Sequence, residues 1–170
     1  GVSLNADGSG WIVGDNATIF RTQNSGVTWE PPLTDLPKST SELSDLSTVA
    51  HNGELILLAG HPGACVFRST TNGEQWDTVQ IPNAGRITKL RFASEGVVLA
   101  VGSFGQILRS EDDGLTWNAA RSFNFRSGVL NLVTNADRAS WQLLATTAAE
   151  QGVRSVTVQM SQQLQTSDQG

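Results

Sequence analysis

One nine-residue pattern recurs along the chain: RTQNSGVTW from Arg21 to Trp29, RSTTNGEQW from Arg68 to Trp76, and RSEDDGLTW from Arg109 to Trp117. A further copy begins at Gln165-Thr166-Ser167-Asp168-Gln169-Gly170 and breaks off before its tryptophan. The arginines lie 47 and 41 residues apart, and Gln165 follows Arg109 by 56. A period of about 40 to 45 residues is that of propeller blades. The last interval then requires an insertion.

The residues between the copies read as short strands. In the third unit, Ile87–Phe92, Val97–Gly102, Gln106–Ser110 and Leu115–Asn118 are β-prone runs divided by Ser-Glu-Gly, Ser-Phe-Gly and Glu-Asp-Asp-Gly clusters. Such runs predict successive antiparallel strands, here A to D of a four-stranded meander. The second unit predicts strands at Leu46–His51, Glu54–Gly60, Ala64–Ser69 and Gln75–Thr78. The first predicts A at Val2–Asn5, B at Gly10–Gly14 and C at Thr18–Thr22, and the fourth has Val129–Val133, Trp141–Thr146 and a longer stretch to Leu164. The expected fold is an all-β propeller of about four blades, near 1–30, 46–78, 87–118 and 129–170, the last truncated. A closed ring has 4 to 8 blades, so this reads as part of a larger one. Remaining blades or another copy are needed to close it.

The repeated string has a physical reading as the C–D turn. Gly26, Gly73, Gly114 and Gly170 supply the backbone conformation with positive φ. Asn24, Asp112 and Asp168 are short acceptors for the turn's own amides, and Thr22, Ser69, Ser110 and Thr166 add a hydroxyl to that network. Trp29, Trp76 and Trp117 are expected to enter strand D and wedge into the core between sheets. Thr71 stands in the acidic column of the second copy, so that turn is expected to be held more weakly. Calcium binding or catalysis by Asp112 and Asp113 is the competing reading, but a lone Asp-Asp-Gly lacks the remaining ligands of a calcium loop.

Composition narrows the function. The 170 residues are 38% hydrophobic and 16% charged, too apolar for a disordered chain. A net charge of −5 offers no basic field for nucleic acid. No apolar run approaches the ~20 residues of a membrane helix. Cys65 is the single cysteine, which excludes an internal disulfide and a thiolate zinc cluster. No cofactor and no metal are expected.

The repeats resemble the Asp-box, the S/T-x-D-x-G-x-T-W turn also called the BNR repeat, found in sialidases, xyloglucan-degrading glycoside hydrolases, sortilin-type receptors and the photosystem II stability/assembly factor family. The lead-ins Gly10-Trp11-Ile12-Val13-Gly14-Asp15-Asn16-Ala17-Thr18-Ile19-Phe20-Arg21-Thr22 and Val101-Gly102-Ser103-Phe104-Gly105-Gln106-Ile107-Leu108-Arg109-Ser110 are most similar to the last family. The chain departs from its pattern at Thr71, at Gln165 and in the fourth unit. This resemblance implies a non-catalytic protein-binding or assembly scaffold, working outside the cytoplasm in a periplasmic, lumenal or secreted setting.

A meander places the box turns and A–B turns on one face and the B–C turns and D–A connections on the other. Ligands are expected on that second face or in the channel. It should carry Asp15, His61 and Phe104 on B–C turns, the proline-stiffened, acidic connection Glu30–Asp45, and the loop Arg121-Ser122-Phe123-Asn124-Phe125-Arg126. Arg121, Phe123, Phe125 and Arg126 suit a protein or glycan contact; alternatively one phenylalanine plugs a gap between blades and the arginines are solvated. Arg21, Arg68 and Arg109 form a column that could bind acidic segments, or could pack their stems on neighbours and bond turn carbonyls. His51 and Cys65, lying in β runs, are expected to be filler.

Two other functions compete with the scaffold. A sialidase site as that family builds it needs a tyrosine, and the chain has none. A two-carboxylate glycosidase needs only paired acids, for which Asp15, Asp35 and Asp45 are candidates, with further catalytic residues in other blades. A sortilin-type receptor lacks its disulfide-rich companion segments here.

Overall fold

The computed structural model describes residues 1–37, 45–122, 129–134, 141–146 and 153–158, with side chains described through residue 119. Its sheets are antiparallel meanders. The first comprises β1 (Val2–Leu4), β2 (Gly10–Val13) and β3 (Ile19–Thr22). The second is four-stranded: β4 (Asp45–Asn52), β5 (Leu55–His61), β6 (Cys65–Ser69) and β7 (Asp77–Gln80). The third repeats it with β8 (Ile87–Ser94), β9 (Val97–Gly102), β10 (Gln106–Ser110) and β11 (Asn118–Ser122). The fourth has β12 (Val129–Thr134), β13 (Trp141–Thr146) and β14 (Val153–Val158). These are the blades of a β-propeller. The motif copy at 165–170 lies outside the described residues.

Alternation along β5 shows how blades stack. Ile56 and Leu58 face the first sheet, in a cluster with Trp11, Val13, Leu46 and Phe67. Leu57 and Ala59 face the third, with Val66, Leu90, Val98 and Leu108. Successive side chains of a strand point to opposite faces, and here both faces are buried. That is why Leu55–Gly60 reads as an almost unbroken apolar run.

The inner strands carry a repeated irregularity. Register shifts occur between Leu46 and Thr48 in β4, Ile87 and Lys89 in β8, and Val129 and Asn131 in β12. A bulge re-aims the extra residue. In β4 it lets Ser47 Oγ donate to the Ile87 carbonyl at 2.8 Å, while Thr48 Oγ1 accepts the Leu90 amide at 3.0 Å. Two hydroxyls thus stitch adjacent inner strands.

Strand D begins later than the pattern predicts, at Asp77 and Asn118. The amides of Gln75 and Thr116 are bonded to side chains of the box, so they are not free for a ladder. In the first blade strand D shrinks to an Arg21–Glu30 bridge, because Pro31 and Pro32 donate no amide.

Candidate functional site

The box turns are built the same way three times. Thr22, Ser69 and Ser110 are buried, and each hydroxyl accepts the amide of the box glycine: Gly26 at 3.0 Å, Gly73 at 2.9 Å and Gly114 at 2.8 Å. Asp112 completes the third turn. Its carboxylate accepts from Ser110 Oγ at 2.8 Å, the Thr116 amide at 2.8 Å and Thr116 Oγ1 at 2.6 Å. The Thr116 bonds, the larger cause, and the Ser110 bond hold its carboxyl below the usual carboxylate range. Asn24 does the same with an amide, accepting the Thr28 amide at 2.9 Å. Thr71 Oγ1 accepts the Gln75 amide at 2.9 Å and makes a long hydroxyl–hydroxyl bond of 3.5 Å with Ser69 Oγ.

Asp113 also has a structural place. Ser25, Asn72 and Asp113 occupy one step of the turn, all with positive φ, and each donates its amide to an A–B turn carbonyl, of Gly8, Glu54 and Gly96. These bonds put the box turns and A–B turns on one face. The Asp113 carbonyl receives Arg68 Nε at 2.9 Å from the preceding blade. Arg68 is therefore buried at a blade boundary, while Arg21 pairs with Glu30 and Arg109 with Glu111.

The tryptophans lie just before strand D, half-buried. Trp76 meets Trp11 edge-to-face at 6.1 Å, and Trp117 Nε1 donates to the Gly114 carbonyl at 2.9 Å. Trp29 covers Gly26.

On the opposite face, Asp15, His61 and Phe104 are exposed at B–C turns. Asp45 accepts the Asn16 amide at 3.1 Å, which joins that acid to the first B–C turn. Asp35 lies elsewhere: the neighbouring Thr34 hydroxyl reaches the Gly73 and Glu74 carbonyls of the second box turn. The connection from Glu30 thus runs first along the box face, with Leu36 buried in the core, and does not gather the three acids on one face as its position in the meander predicts. Phe123, Phe125, Arg126, Thr166, Asp168 and Gly170 lie outside the described residues, and Arg121 is placed by its backbone, in β11. Among the described residues, no group of three His, Cys, Asp or Glu could hold a metal.

Sequence reasoning missed two features. The inner strands line a groove of about 650 Å³ that carries Ser3, His51, Lys89 and Arg91. Lys89 and Arg91 share one edge at i and i+2, a signal available in the sequence. His51 is buried and bridges two blades through Ser3 and Ser9. Burial lowers its pKa below the ordinary imidazole value, against the smaller influence of Ser9 and Asp7. Cys65 is half-buried, and burial pushes its thiol up.

Blades closed by turns that join a buried hydroxyl, a short polar acceptor and a glycine, stacked about bulged inner strands, define an Asp-box β-propeller. The chain belongs to the family described as photosynthesis system II assembly factor YCF48, whose model matches residues 1–122. It is 29% identical over 112 residues to the photosystem II assembly protein Ycf48 of Synechococcus sp. (strain JA-2-3B'a(2-13)), covering 65% of this chain and 32% of that one. It is 29% identical over 124 residues to the photosystem II assembly lipoprotein Ycf48 of Synechococcus sp. (strain CC9902), covering 70% and 35%. The chain therefore spans about a third of the length of these curated relatives. Among solved structures, YCF48 bound to a D1 peptide matches with a TM-score of 0.69 at 20% identity, over 91% of this chain and 52% of that one. The GH74 xyloglucanase of Xanthomonas campestris matches at 0.68 and 18%, over 86% and 27%. At such identities both likenesses establish the fold alone.

Proposed function

We propose that this chain is a non-catalytic protein-binding domain of the photosystem II assembly-factor type, receiving a segment of a partner protein on its loop surfaces. One observation carries the reading: in a member of this family, the repeated polar chemistry is spent internally. The box hydroxyls, Asn24 and Asp112 hold turns, and Arg68 holds a blade boundary. What recurs is therefore structural, and recognition falls to the loops that differ between blades. D1 peptides are the first partners to test, since the YCF48 structure of the same fold contains one.

Fluorescence anisotropy with overlapping D1 peptides tests the reading. Saturable binding supports it. Absence of binding, together with hydrolysis of xyloglucan oligosaccharides, would replace it with the glycoside hydrolase alternative.

We further propose that the chain forms part of a larger ring, closed by further blades or another copy. An extracytoplasmic location is supported by the lipoprotein name of the CC9902 relative. No helix among the described residues is long and apolar enough to cross a membrane. Cell fractionation against a cytoplasmic marker tests the location, and co-sedimentation with that marker would refute it.

A further inference from the structure

The B–C turns of the first three blades share one pattern of φ angles. Two consecutive residues take positive φ in each: Asn16 and Ala17, Gly63 and Ala64, Phe104 and Gly105. The first of these steps sits five residues before Arg21, Arg68 and Arg109 respectively. Asparagine and glycine suit that step, because one can bond locally and the other has no Cβ. Phenylalanine does not. A bulky residue held in the left-handed region costs on the order of 1 kcal/mol or more, and such strain concentrates at functional positions.

Among the described residues, burial does not repay that cost. Phe104, at φ 60° and ψ 26°, is 82% exposed, the most exposed of the large hydrophobic side chains among the described residues. Yet its turn is firmly built. The Ser103 amide donates to the Arg86 carbonyl at 2.9 Å, and Gln106 Oε1 accepts the Gly85 amide at 3.1 Å. The ring stands beside Gly85, which offers no side chain to cover it. The preceding B–C turn closes against the same connection, since a Cβ on Gly63 would meet the Gly85 and Arg86 backbone at 2.7 Å. The turn therefore displays one exposed aromatic ring beside Gly85.

The charge beside this ring indicates what would dock. Arg86 is exposed and has no ion-pair partner among the described residues. The loops joined here, His61–Gly63, Asn83–Arg86 and Ser103–Gln106, contain no carboxylate in a chain of net charge −5. An acidic segment meets no like charge from these loops. We infer that Phe104 is the anchor of a docking surface on the B–C face, for a protein segment that pairs an apolar side chain with a carboxylate directed at Arg86. Exposed aromatics flanked by arginine are the residue types that dominate interface energetics. The inference rests on the protein-binding reading above and specifies its face and the chemistry of its partner.

Substitution at Phe104 tests it, with overlapping D1 peptides as the probe. Phe104→Gly should raise the melting temperature, because the strain is released. It should also weaken binding of the best acidic peptide at least about tenfold, the loss typical of truncating an anchor. Phe104→Trp should keep binding, and Arg86→Glu should weaken acidic peptides while sparing neutral ones. Unchanged binding by Phe104→Gly overturns the inference while the protein-binding reading stands. Loss of binding in Lys89→Glu/Arg91→Glu but not in Phe104→Gly would move the site to the inner groove and also overturn it. A wild-type chain that binds no peptide overturns both.

Discussion

Ser3 Oγ and His51 Nδ1 meet at 2.9 Å across the boundary between the first two blades. The surrounding bonds fix the tautomer. Ser9 spends its hydroxyl proton on Asp7, at 2.7 Å, so toward His51 it can only accept. The proton of a neutral imidazole then sits on Nε2, directed at Ser9 Oγ 3.4 Å away, and bare Nδ1 accepts from Ser3. The chain Asp7–Ser9–His51–Ser3 is a polar latch in which His51 works uncharged.

Acid should therefore open the latch. The folded pKa of His51 is depressed, so the unfolded chain takes up the proton first as pH falls through about 6.5. Stability rises with pH wherever the unfolded state binds more protons. It should accordingly decline below pH 6.5 until the folded pKa is reached. Asp112, whose pKa is lowered from 3.8, keeps its contribution until lower pH, so the two windows separate. Denaturant midpoints between pH 7.5 and 5 should fall for the wild type and stay flatter for His51→Asn. Equal slopes would show that His51 is not the titrating group.

Ser110→Ala should be among the costlier single-atom deletions. The Ser110 hydroxyl is fully buried and accepts the buried Gly114 amide. Leaving such a donor unpaired costs about 1 to 3 kcal/mol. Urea unfolding measures this, and a loss below about 0.5 kcal/mol would mean that water replaces the bond.

Thr71→Asp should stabilise the chain. The second box offers a single hydroxyl where the third has a carboxylate bonded to Ser110 and Thr116. A restored carboxylate would bond Ser69 and the Gln75 amide more strongly, but Gln75 supplies no second hydroxyl as Thr116 does. The expected gain is about 0.5 to 1 kcal/mol, read as a higher melting temperature. A drop would show that the turn cannot close on the longer acceptor.

The blades were legible because their signals are local and repeated. Strands A to C follow from β-prone runs between glycine-rich turns, and the box follows from hydroxyl, acid and glycine at fixed spacing. What escaped depends on juxtaposition. His51 sits in a β run, and only the stacking of blades shows that Ser3 and Ser9 flank it. That Arg68 bonds a turn carbonyl is among the sequence readings, but that the carbonyl is Asp113 of the next blade follows only from stacking. The short strand D of the first blade is legible in Pro31-Pro32, which donate no amide to a ladder. The strain at Phe104 emerges only when backbone angles are compared blade by blade.

Two of the box glycines, Gly73 and Gly114, also touch the neighbouring blade, and this yields the sharpest test of stacking. Gly73 has φ +82°, and a Cβ there would lie 2.5 Å from Trp11 Cη2. Gly114 has φ +83°, with Leu57 Cδ2 at 2.9 Å from the same hypothetical atom. Trp11 and Leu57 hold equivalent places, opposite Arg21 and Arg68 in their B–C pairings. Gly73 and Gly114 are thus each the floor on which the preceding blade's B strand rests. Gly73→Ala adds a left-handed alanine, costing on the order of 1 kcal/mol, to an overpacked contact costing about 1 to 3 kcal/mol. Gly53 supplies the control, since it has φ +58° and open space around the Cβ position. Gly53→Ala should lose only the backbone part. Denaturant unfolding of the two variants separates the terms, and equal losses would mean that Trp11 yields freely and the blades are not packed through this contact.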